Sequence, residues 1–167
     1  MSNTQENLGA AFAGESQANR SYLFFAEKAD KEGHSQIARL FRATAEAETV
    51  HARNHLKVMG GIKSTADNLG AGIEGEHHEF TQMYPDFIKQ ADTECNDKAK
   101  VSFDYANKVE EIHHGLYQKA LKALEAGAKL NDEPYYVCQG CGHTVAGEAP
   151  DKCPICGAPK KFFKRVE

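Results

Sequence analysis

The sequence predicts an all-α domain of four helices followed by a small C-terminal metal domain. Apolar residues recur at helical spacing through residues 1–127, and this stretch holds only one of the five prolines. Residues 128–167 hold the other four prolines and four of the five cysteines. The change of composition predicts a helical domain over 1–127, a linker over 128–134 and a second domain over 135–167.

Three breaks divide the helical part into four segments. The turn signals "KEGHS", at 31–35, and "DTECND", at 92–97, are short, so each is expected to join two antiparallel helices. The Gly-rich stretch 60–75 is longer and is predicted to be a crossover between the two hairpins. The predicted helices cover residues 4–32, 35–59, 70–93 and 97–127.

The second hairpin repeats the first. "GE" at 14–15 reappears at 75–76, and "KADKE" at 28–32 reappears as "QADTE" at 90–94. The offset is 61 residues at the first match and 62 afterwards, so one extra residue enters the third helix. Pro85 lies in that interval, and we expect a local kink or bulge there.

Glu-x-x-His motifs lie at equivalent positions of the repeat, as "ETVH" at 48–51 and "EEIH" at 110–113. Residues three apart share one face of a helix. One Glu-x-x-His motif is expected by chance in a chain of this composition. Two such motifs at equivalent positions of the repeat indicate a metal site. The first and third helices add Glu15 and Glu76, with Glu79 one turn further on. Several carboxylates buried together require positive charge among them.

This ligand set predicts a pair of metal ions inside the bundle. A Glu from each of two helices plus Glu-x-x-His from each of the other two is the set found in ferritin-like di-iron bundles, so the predicted fold is a ferritin-like four-helix bundle. Oxygen-rich ligands favour iron or manganese over copper, although zinc can substitute. Glu111 and His114 repeat the spacing, but the repeat alignment favours the preceding pair. The predicted ligands are Glu15, Glu48, His51, Glu76, Glu79, Glu110 and His113.

A second metal site is predicted from "CQGCG" at 138–142 and "CPICG" at 153–157, with 11 residues between the two Cys-x-x-Cys pairs. Four thiolates form a tetrahedral site for zinc or iron, and the spacing alone does not choose between them. The glycine after each pair lets backbone N–H groups approach the sulfurs. Cys95 is given no role, and His143 is expected to face solvent on a loop. The predicted ligands are Cys138, Cys141, Cys153 and Cys156.

Charge and hydropathy exclude several classes of partner. The net charge of −4 gives no reason to expect nucleic acid or an acidic membrane surface. No apolar stretch approaches the ~20 residues that span a bilayer, and the N-terminal residues show no export signal. The expected location is the cytoplasm, where paired Cys-x-x-Cys spacings bind metal rather than form disulfides.

The whole chain resembles rubrerythrins, in which a ferritin-like di-iron domain precedes a rubredoxin-like domain with one iron held by four cysteines. The resemblance rests on five segments and extends over nearly all 167 residues. The segments are "AFAGESQANRSYLFFA", "AEAETVHA", "GEHHEFTQMYP", "VEEIHH" and the two Cys-x-x-Cys-Gly motifs.

The resemblance also implies roles for individual residues. It implies that His51 replaces Glu79 as a ligand when one iron moves on reduction. Tyr22 and Tyr84 match tyrosines that hydrogen-bond the ligand carboxylates. The implied catalytic residues are therefore Glu79, His51, Tyr22 and Tyr84.

The function that the resemblance implies is the reduction of hydrogen peroxide to water by a non-haem di-iron peroxidase that protects against oxidative stress. Electrons are expected to arrive through the four-cysteine iron from a separate NAD(P)H-dependent reductase or a rubredoxin, because this chain has no dinucleotide fingerprint. A homodimer is expected, either head-to-tail or with exchanged helices. The linker spans at most ~25 Å, so the four-cysteine iron could serve the partner's di-iron site.

Two other classes of protein fit parts of the pattern. A ferritin-like iron-binding protein or ferroxidase with a structural zinc-ribbon tail would use the same carboxylates, but would gain nothing from an electron-transfer domain. A scaffold with a zinc ribbon would keep the four cysteines and have no need of buried Glu and His on four helices. Iron in both sites favours the peroxidase, whereas zinc at the cysteines favours the alternatives.

Overall fold

The computed structural model describes residues 3–166, which form helices and a small C-terminal sheet. The residues up to Lys63 form one compact unit, and those from Ser64 onward form another. Among the described residues, no helix is long and apolar enough to cross a membrane. The helices are α1 (Thr4–Lys31), α2 (Ser35–Val58), α3 (Thr65–His78), α4 (Tyr84–Thr93) and α5 (Asp97–Glu125).

The first unit is a helical hairpin of α1 and α2. Asn3 and Glu6 form a reciprocal capping box at the start of α1, which satisfies two backbone N–H groups that the helix leaves free. Gly33 turns the chain with a φ of 82°, a conformation that favours glycine. Ala26 and Ala38 are almost completely buried between the two helices. Small side chains at this contact let the helices approach closely.

The second unit begins with α3, which starts earlier than the sequence predicted. The third helix was expected at residue 70, but α3 begins at Thr65, where the Ser64 hydroxyl accepts a hydrogen bond from the Asp67 N–H. The expected crossover over 60–75 is therefore much shorter. Glycine at position 72 is used for packing rather than for a loop, since a Cβ there would lie 3.1 Å from the Tyr117 ring on α5.

A π-helical segment, Glu79–Met83, separates α3 from α4. It occupies the interval in which the repeat gains one residue, because the offset is 61 at Glu76 and 62 at Tyr84. A one-residue insertion into an α-helix produces a π-bulge, and such bulges are frequent at functional sites. The expected bulge is therefore confirmed, and Pro85 occupies the first turn of α4, where a missing N–H costs little.

Two aromatic clusters show the repeat in three dimensions. The ring centroids of Tyr22 and Phe41 lie 6.1 Å apart, and those of the equivalent Tyr84 and Phe103 lie 6.3 Å apart. The third member of each cluster is Phe25 or Phe87, at 5.6 and 5.5 Å from the same phenylalanine. The two hairpins therefore share their packing as well as their sequence pattern.

The C-terminal part of the second unit is a three-stranded antiparallel sheet in the order β2-β1-β3. A short 3₁₀-helix, Lys160–Phe162, leads into the last strand. Strand β2 packs against α5. The strands are β1 (Tyr135–Cys138), β2 (Thr144–Ala146) and β3 (Phe163–Val166).

Candidate metal centres

The four predicted cysteines meet at one point of the C-terminal sheet domain. Their sulfurs all lie within 4.8 Å of one another. The closest pairs are Cys138 with Cys156, at 3.6 Å, and Cys141 with Cys153, at 3.5 Å. These separations are those of thiolates around one shared ion.

Two equivalent turns build this site. The N–H of Gly142 donates to the Cys138 carbonyl at 2.8 Å, and the N–H of Gly157 donates to the Cys153 carbonyl at 2.9 Å. Both glycines have positive φ angles, 86° and 76°, which an L side chain rarely adopts. Burial opposes ionisation of Cys153, but backbone N–H groups of Cys156 and Ile155 outweigh it and lower its pKa to about 7.

The Cys141 thiol differs from that of Cys153, because its pKa is raised and not lowered. Burial is the main cause that raises the pKa of Cys141 far above its ordinary value, and its contacts with the other sulfurs add to the effect. Four thiolates cannot crowd together in a buried site without a cation among them. A soft tetrahedral set of four sulfurs fits iron or zinc.

The first half-site consists of Glu15 on α1 with Glu48 and His51 on α2. His51 Nδ1 lies 2.9 Å from Glu48 Oε2 and 4.0 Å from Glu15 Oε1. The side chain of His51 is 53% exposed. The hairpin thus brings together all three ligands that the sequence predicted for it.

The second half-site consists of Glu76 on α3 with Glu110 and His113 on α5. His113 Nδ1 lies 2.7 Å from Glu110 Oε2 and 3.9 Å from Glu76 Oε1. The two half-sites therefore have nearly the same internal geometry. The register with Glu110 and His113 also excludes His114 from the cluster, since its Nδ1 lies 3.1 Å from the Ile73 carbonyl oxygen.

Burial and crowding of like charges shift the ionisation of the second half-site. Burial and the neighbouring Glu110 raise the pKa of Glu76 to about 7. Burial and Glu110 also raise the pKa of Glu79, the first residue of the π-helical segment. The hydrogen bond with Glu110 raises the pKa of His113. Carboxylates that are buried and crowded in this way are stabilised in their charged form by a cation bound among them, so the cluster suits a metal ion.

Glu79 and Tyr84 lie near the second half-site, but Glu79 is outside the cluster formed by its three ligands. Glu79 acts electrostatically on Glu76. The pKa of Tyr84 is raised by burial and by the charges of Glu110 and Glu79, so its hydroxyl keeps its proton and can donate to a carboxylate. Tyr22 occupies the equivalent place in the aromatic cluster of the first hairpin.

Sequence reasoning missed two residues and misplaced a third. Thr144 contacts His113 through its hydroxyl, at 2.9 Å from Nε2. Asn19 ties α1 to α2, because its Nδ2 donates to the Ala45 carbonyl at 2.6 Å. His143 was expected to face solvent, but it is buried, with its ring 6.2 Å from that of Phe163. Each of these contacts joins residues distant in sequence, and no local motif marks them.

Comparison with known proteins assigns both parts of the chain. The family profile described as Rubrerythrin matches residues 6–121, and the profile described as Rubrerythrin, rubredoxin-like domain, matches residues 136–164. The chain is 35% identical to Rubrerythrin-2 of Clostridium acetobutylicum, over 96% of this chain and 95% of that protein. It is 37% identical to a rubrerythrin of Porphyromonas gingivalis, over 99% of this chain and 91% of that protein.

Solved structures give the same result. The structure titled "Mixed valant state of nigerythrin" has a TM-score of 0.58 and 37% identity, and covers 99% of this chain and 88% of that one. A fully reduced nigerythrin structure matches with a TM-score of 0.59 and 36% identity. These likenesses confirm the fold class predicted from the sequence, and the donor sets confirm sites suited to iron in both domains.

Proposed function

Because the chain belongs to the rubrerythrin family, a family of oxidoreductases with a di-iron and a rubredoxin-like domain, we propose that it is a peroxidase that reduces hydrogen peroxide to water. The observation that carries this proposal is the joint presence of a carboxylate–histidine donor set and a four-thiolate donor set in one chain. The first suits a reaction with peroxide, and the second suits the transfer of single electrons.

The proposed di-iron centre combines the two half-sites, each of which supplies two carboxylates and one imidazole. Glu79 is the seventh proposed ligand, and the four clustered cysteines would hold the third iron. Iron bound by the carboxylate site would supply the electrons needed for cleavage of the O–O bond. The division into domains over 1–127 and 135–167, and the cytoplasmic location, stay predictions from the sequence.

The protein's own side chains provide ligand exchange and protons. Glu79 belongs to the π-helical segment, and at neither repeat offset does the first hairpin have a carboxylate, since Gln17 and Ala18 stand there. We propose that Glu79 is an iron ligand in the oxidised state of the centre. The exposed His51 would take its place in the reduced state. Tyr84 keeps its hydroxyl protonated beside the carboxylates and can hold a proton near the substrate.

The electron balance requires an external donor. One hydrogen peroxide with two protons and two electrons gives two waters, so each turnover draws two single electrons from outside. We propose that a separate NAD(P)H-dependent reductase, or a rubredoxin, delivers them to the four-cysteine iron. The exposed Lys161 and Phe162 of this domain's 3₁₀-helix offer a surface for such a donor.

We propose a homodimer as the working form. Large apolar side chains remain exposed on the first hairpin, among them Phe24 at 63%, Leu40 at 61% and Val58 at 69%, and such surface favours association. Mixing two inactive variants tests whether chains exchange hairpins. A chain with Glu48→Ala and a chain with Glu110→Ala regain activity together only if each centre takes its half-sites from two chains.

A single-turnover experiment tests the proposed activity. The iron-loaded protein is reduced without oxygen until the red ferric–thiolate colour disappears, and stoichiometric peroxide or dioxygen is then added. Rapid return of the colour with peroxide and slow return with dioxygen are expected. No red colour at the start would assign zinc to the cysteines and favour the ferroxidase with a structural tail. Colour that peroxide does not restore would contradict peroxidase activity.

A further inference from the structure

We propose that Thr144 is a positioning residue for the di-iron centre. It fixes the ring of His113 and joins it to the turn over residues 138–142 of the four-cysteine site, called here the four-cysteine loop. This inference rests on the proposed function, because it assigns His113 as a ligand. No motif in the sequence marks Thr144, which lies on strand β2, 31 residues from His113.

A chain of hydrogen bonds carries the inference. Thr144 Oγ1 lies 2.9 Å from His113 Nε2 and 3.0 Å from the Gly142 carbonyl oxygen. A hydroxyl has one proton to donate and two lone pairs that accept. It can therefore accept from Nε2–H of His113 and donate to Gly142 at the same time. Gly142 is bonded directly to the ligand Cys141, so two hydrogen bonds join the two sites.

The same contact selects the ring nitrogen that faces the carboxylates. His113 Nδ1 points to Glu110 and Glu76, at 2.7 and 3.9 Å. A metal-ligating nitrogen carries no proton, so the proton of the neutral ring must lie on Nε2. Thr144 stabilises that tautomer by accepting its N–H. A ring held at both nitrogens cannot rotate away from the second half-site.

Apolar packing independently holds the same loop on the same helix. A Cβ at Gly142 would lie 3.6 Å from Val109 Cγ1, so the backbone of the loop rests directly on α5. Val109 is 2% exposed and lies one turn before His113, on the same face of the helix. The hydrogen bond that His113 donates to Thr144 is therefore formed at a packed contact.

The arrangement places the four-cysteine loop beside a ligand of its own chain. His113 lies 12 residues before the end of α5, which is ~18 Å along a helix axis. A linker that spans at most ~25 Å can return the chain over this distance. The four-cysteine loop therefore lies beside a proposed ligand of the same chain.

Two variants and one control isolate the hydroxyl. Thr144→Val keeps a β-branched side chain that suits a strand, but removes the hydroxyl. Thr144→Ser restores the hydroxyl. Thr93→Val is the matched control, because within residues 3–166 its hydroxyl donates only to the Lys89 carbonyl, in its own helix. Full-length protein loaded with Zn²⁺ is used for NMR of the His113 ring nitrogens, and iron-loaded protein is used for the return of colour after peroxide.

The expected NMR result is an Nε2–H of His113 that exchanges slowly with water in the wild-type, Thr144→Ser and Thr93→Val proteins, and at least about tenfold faster in Thr144→Val. The colour should return about tenfold more slowly in Thr144→Val, within the range typical of changes around a metal ligand. Thr144→Ser should restore most of the rate.

Each contrary outcome has a defined meaning. A wild-type His113 Nε2–H that exchanges as fast as a free imidazole would overturn the inference, whether or not the variants fold. Equal exchange and equal colour return in Thr144→Val and wild type would also overturn it. If wild-type protein fails to regain colour with peroxide, while the NMR differences stand, the proposed function fails and the positioning role of Thr144 survives.

Discussion

The two half-sites match in ligands and differ in their surroundings. In the first, the side chains of Glu15 and His51 are 32% and 53% exposed. In the second, those of Glu76 and His113 are 19% and 27% exposed. Among the described residues, His51 contacts only carboxylates, whereas His113 also contacts Thr144. We infer from this difference that the ligands of the second half-site are held in place. We expect those of the first half-site to be free to change their coordination.

The π-helical segment is the second difference between the hairpins. It adds one residue to the second hairpin and supplies Glu79, which has no counterpart in the first. A duplicated hairpin with equal ligands would give a symmetric centre. The inserted residue and the contact from β2 both belong to the second unit, so the two half-sites differ although the hairpins repeat each other.

Removal of the held histidine should have the largest effect. We expect His113→Ala to lose iron from the carboxylate site and to lower peroxidase activity by more than about 100-fold, because changes around a ligand alone cost about 10- to 100-fold. His51→Ala should keep iron in the oxidised protein and slow only the reaction of the reduced form. Iron content and single-turnover rates measure both effects. Equal iron loss in the two variants would remove the distinction between held and free half-sites.

The inserted carboxylate should have the next largest effect. Glu79→Ala should retain iron but lower peroxide turnover by about tenfold or more, since the oxidised state loses a ligand. Glu74→Ala is the control, because this carboxylate is exposed on α3, just before the π-helical segment. Steady-state peroxide consumption with a reductase and NADH gives the rates. Full turnover in Glu79→Ala would count strongly against the exchange of Glu79 with His51.

The metal-free protein should show a pH dependence that comes from the second half-site. The pKa of Glu76 is about 7, above its ordinary value of 4.5, so the folded state binds its proton more tightly than the unfolded chain does. Its contribution to the free energy of unfolding is complete below about pH 4.5 and is lost as the pH rises through 7. The raised pKa values of Glu79 and His113 act in the same direction.

Urea unfolding of metal-free protein between about pH 5 and about pH 8 measures this dependence. Glu76→Gln should flatten it, because the amide does not titrate. Glu15→Gln is the matched variant in the first half-site and controls for the loss of a carboxylate from a half-site. Stability that increases over this range in the wild-type protein would contradict the assignment. Added metal should remove the loss by replacing the bound protons.

Removal of the tyrosine hydroxyls should have the smallest effect on peroxide turnover. Tyr84→Phe removes a hydroxyl whose pKa is raised by burial and by the charge of Glu110, and we expect peroxide turnover to fall by several-fold to about tenfold. Tyr22→Phe changes the equivalent residue of the more exposed half-site and should cost less. Both variants retain the aromatic cluster, so thermal stability should change little. A larger loss in Tyr22→Phe would reverse the assignment of the two half-sites.

Residues whose partners lie within one hairpin could be predicted from the sequence. The Glu-x-x-His spacing fixes a helix face, the repeat relates the two faces, and the Cys-x-x-Cys-Gly motifs fix two turns. The position of the π-helical segment also followed from the change of offset. The start of α3 was placed five residues too late, because the glycines of residues 60–75 indicate a loop and outweighed the Ser64 cap. At position 72 the close approach of the Tyr117 ring favours a glycine within the helix.

Contacts between distant parts of the chain could not be predicted in the same way. Thr144 contacts His113 only because β2 packs on α5, and a single threonine in a strand carries no signal of its own. The burial of His143 has the same origin, since its place beside the cysteine site turns it inward. Such contacts depend on tertiary packing rather than on local spacing.

Crystal structures of the iron-loaded protein in the oxidised and the reduced state would show the proposed ligand exchange itself. We expect the iron on the side of Glu15 to move on reduction and to exchange Glu79 for His51. The iron held by His113 should stay in place, with the hydrogen bond to Thr144 intact in both states. An iron that moves on the His113 side, or a His51 that never becomes a ligand, would contradict this expectation.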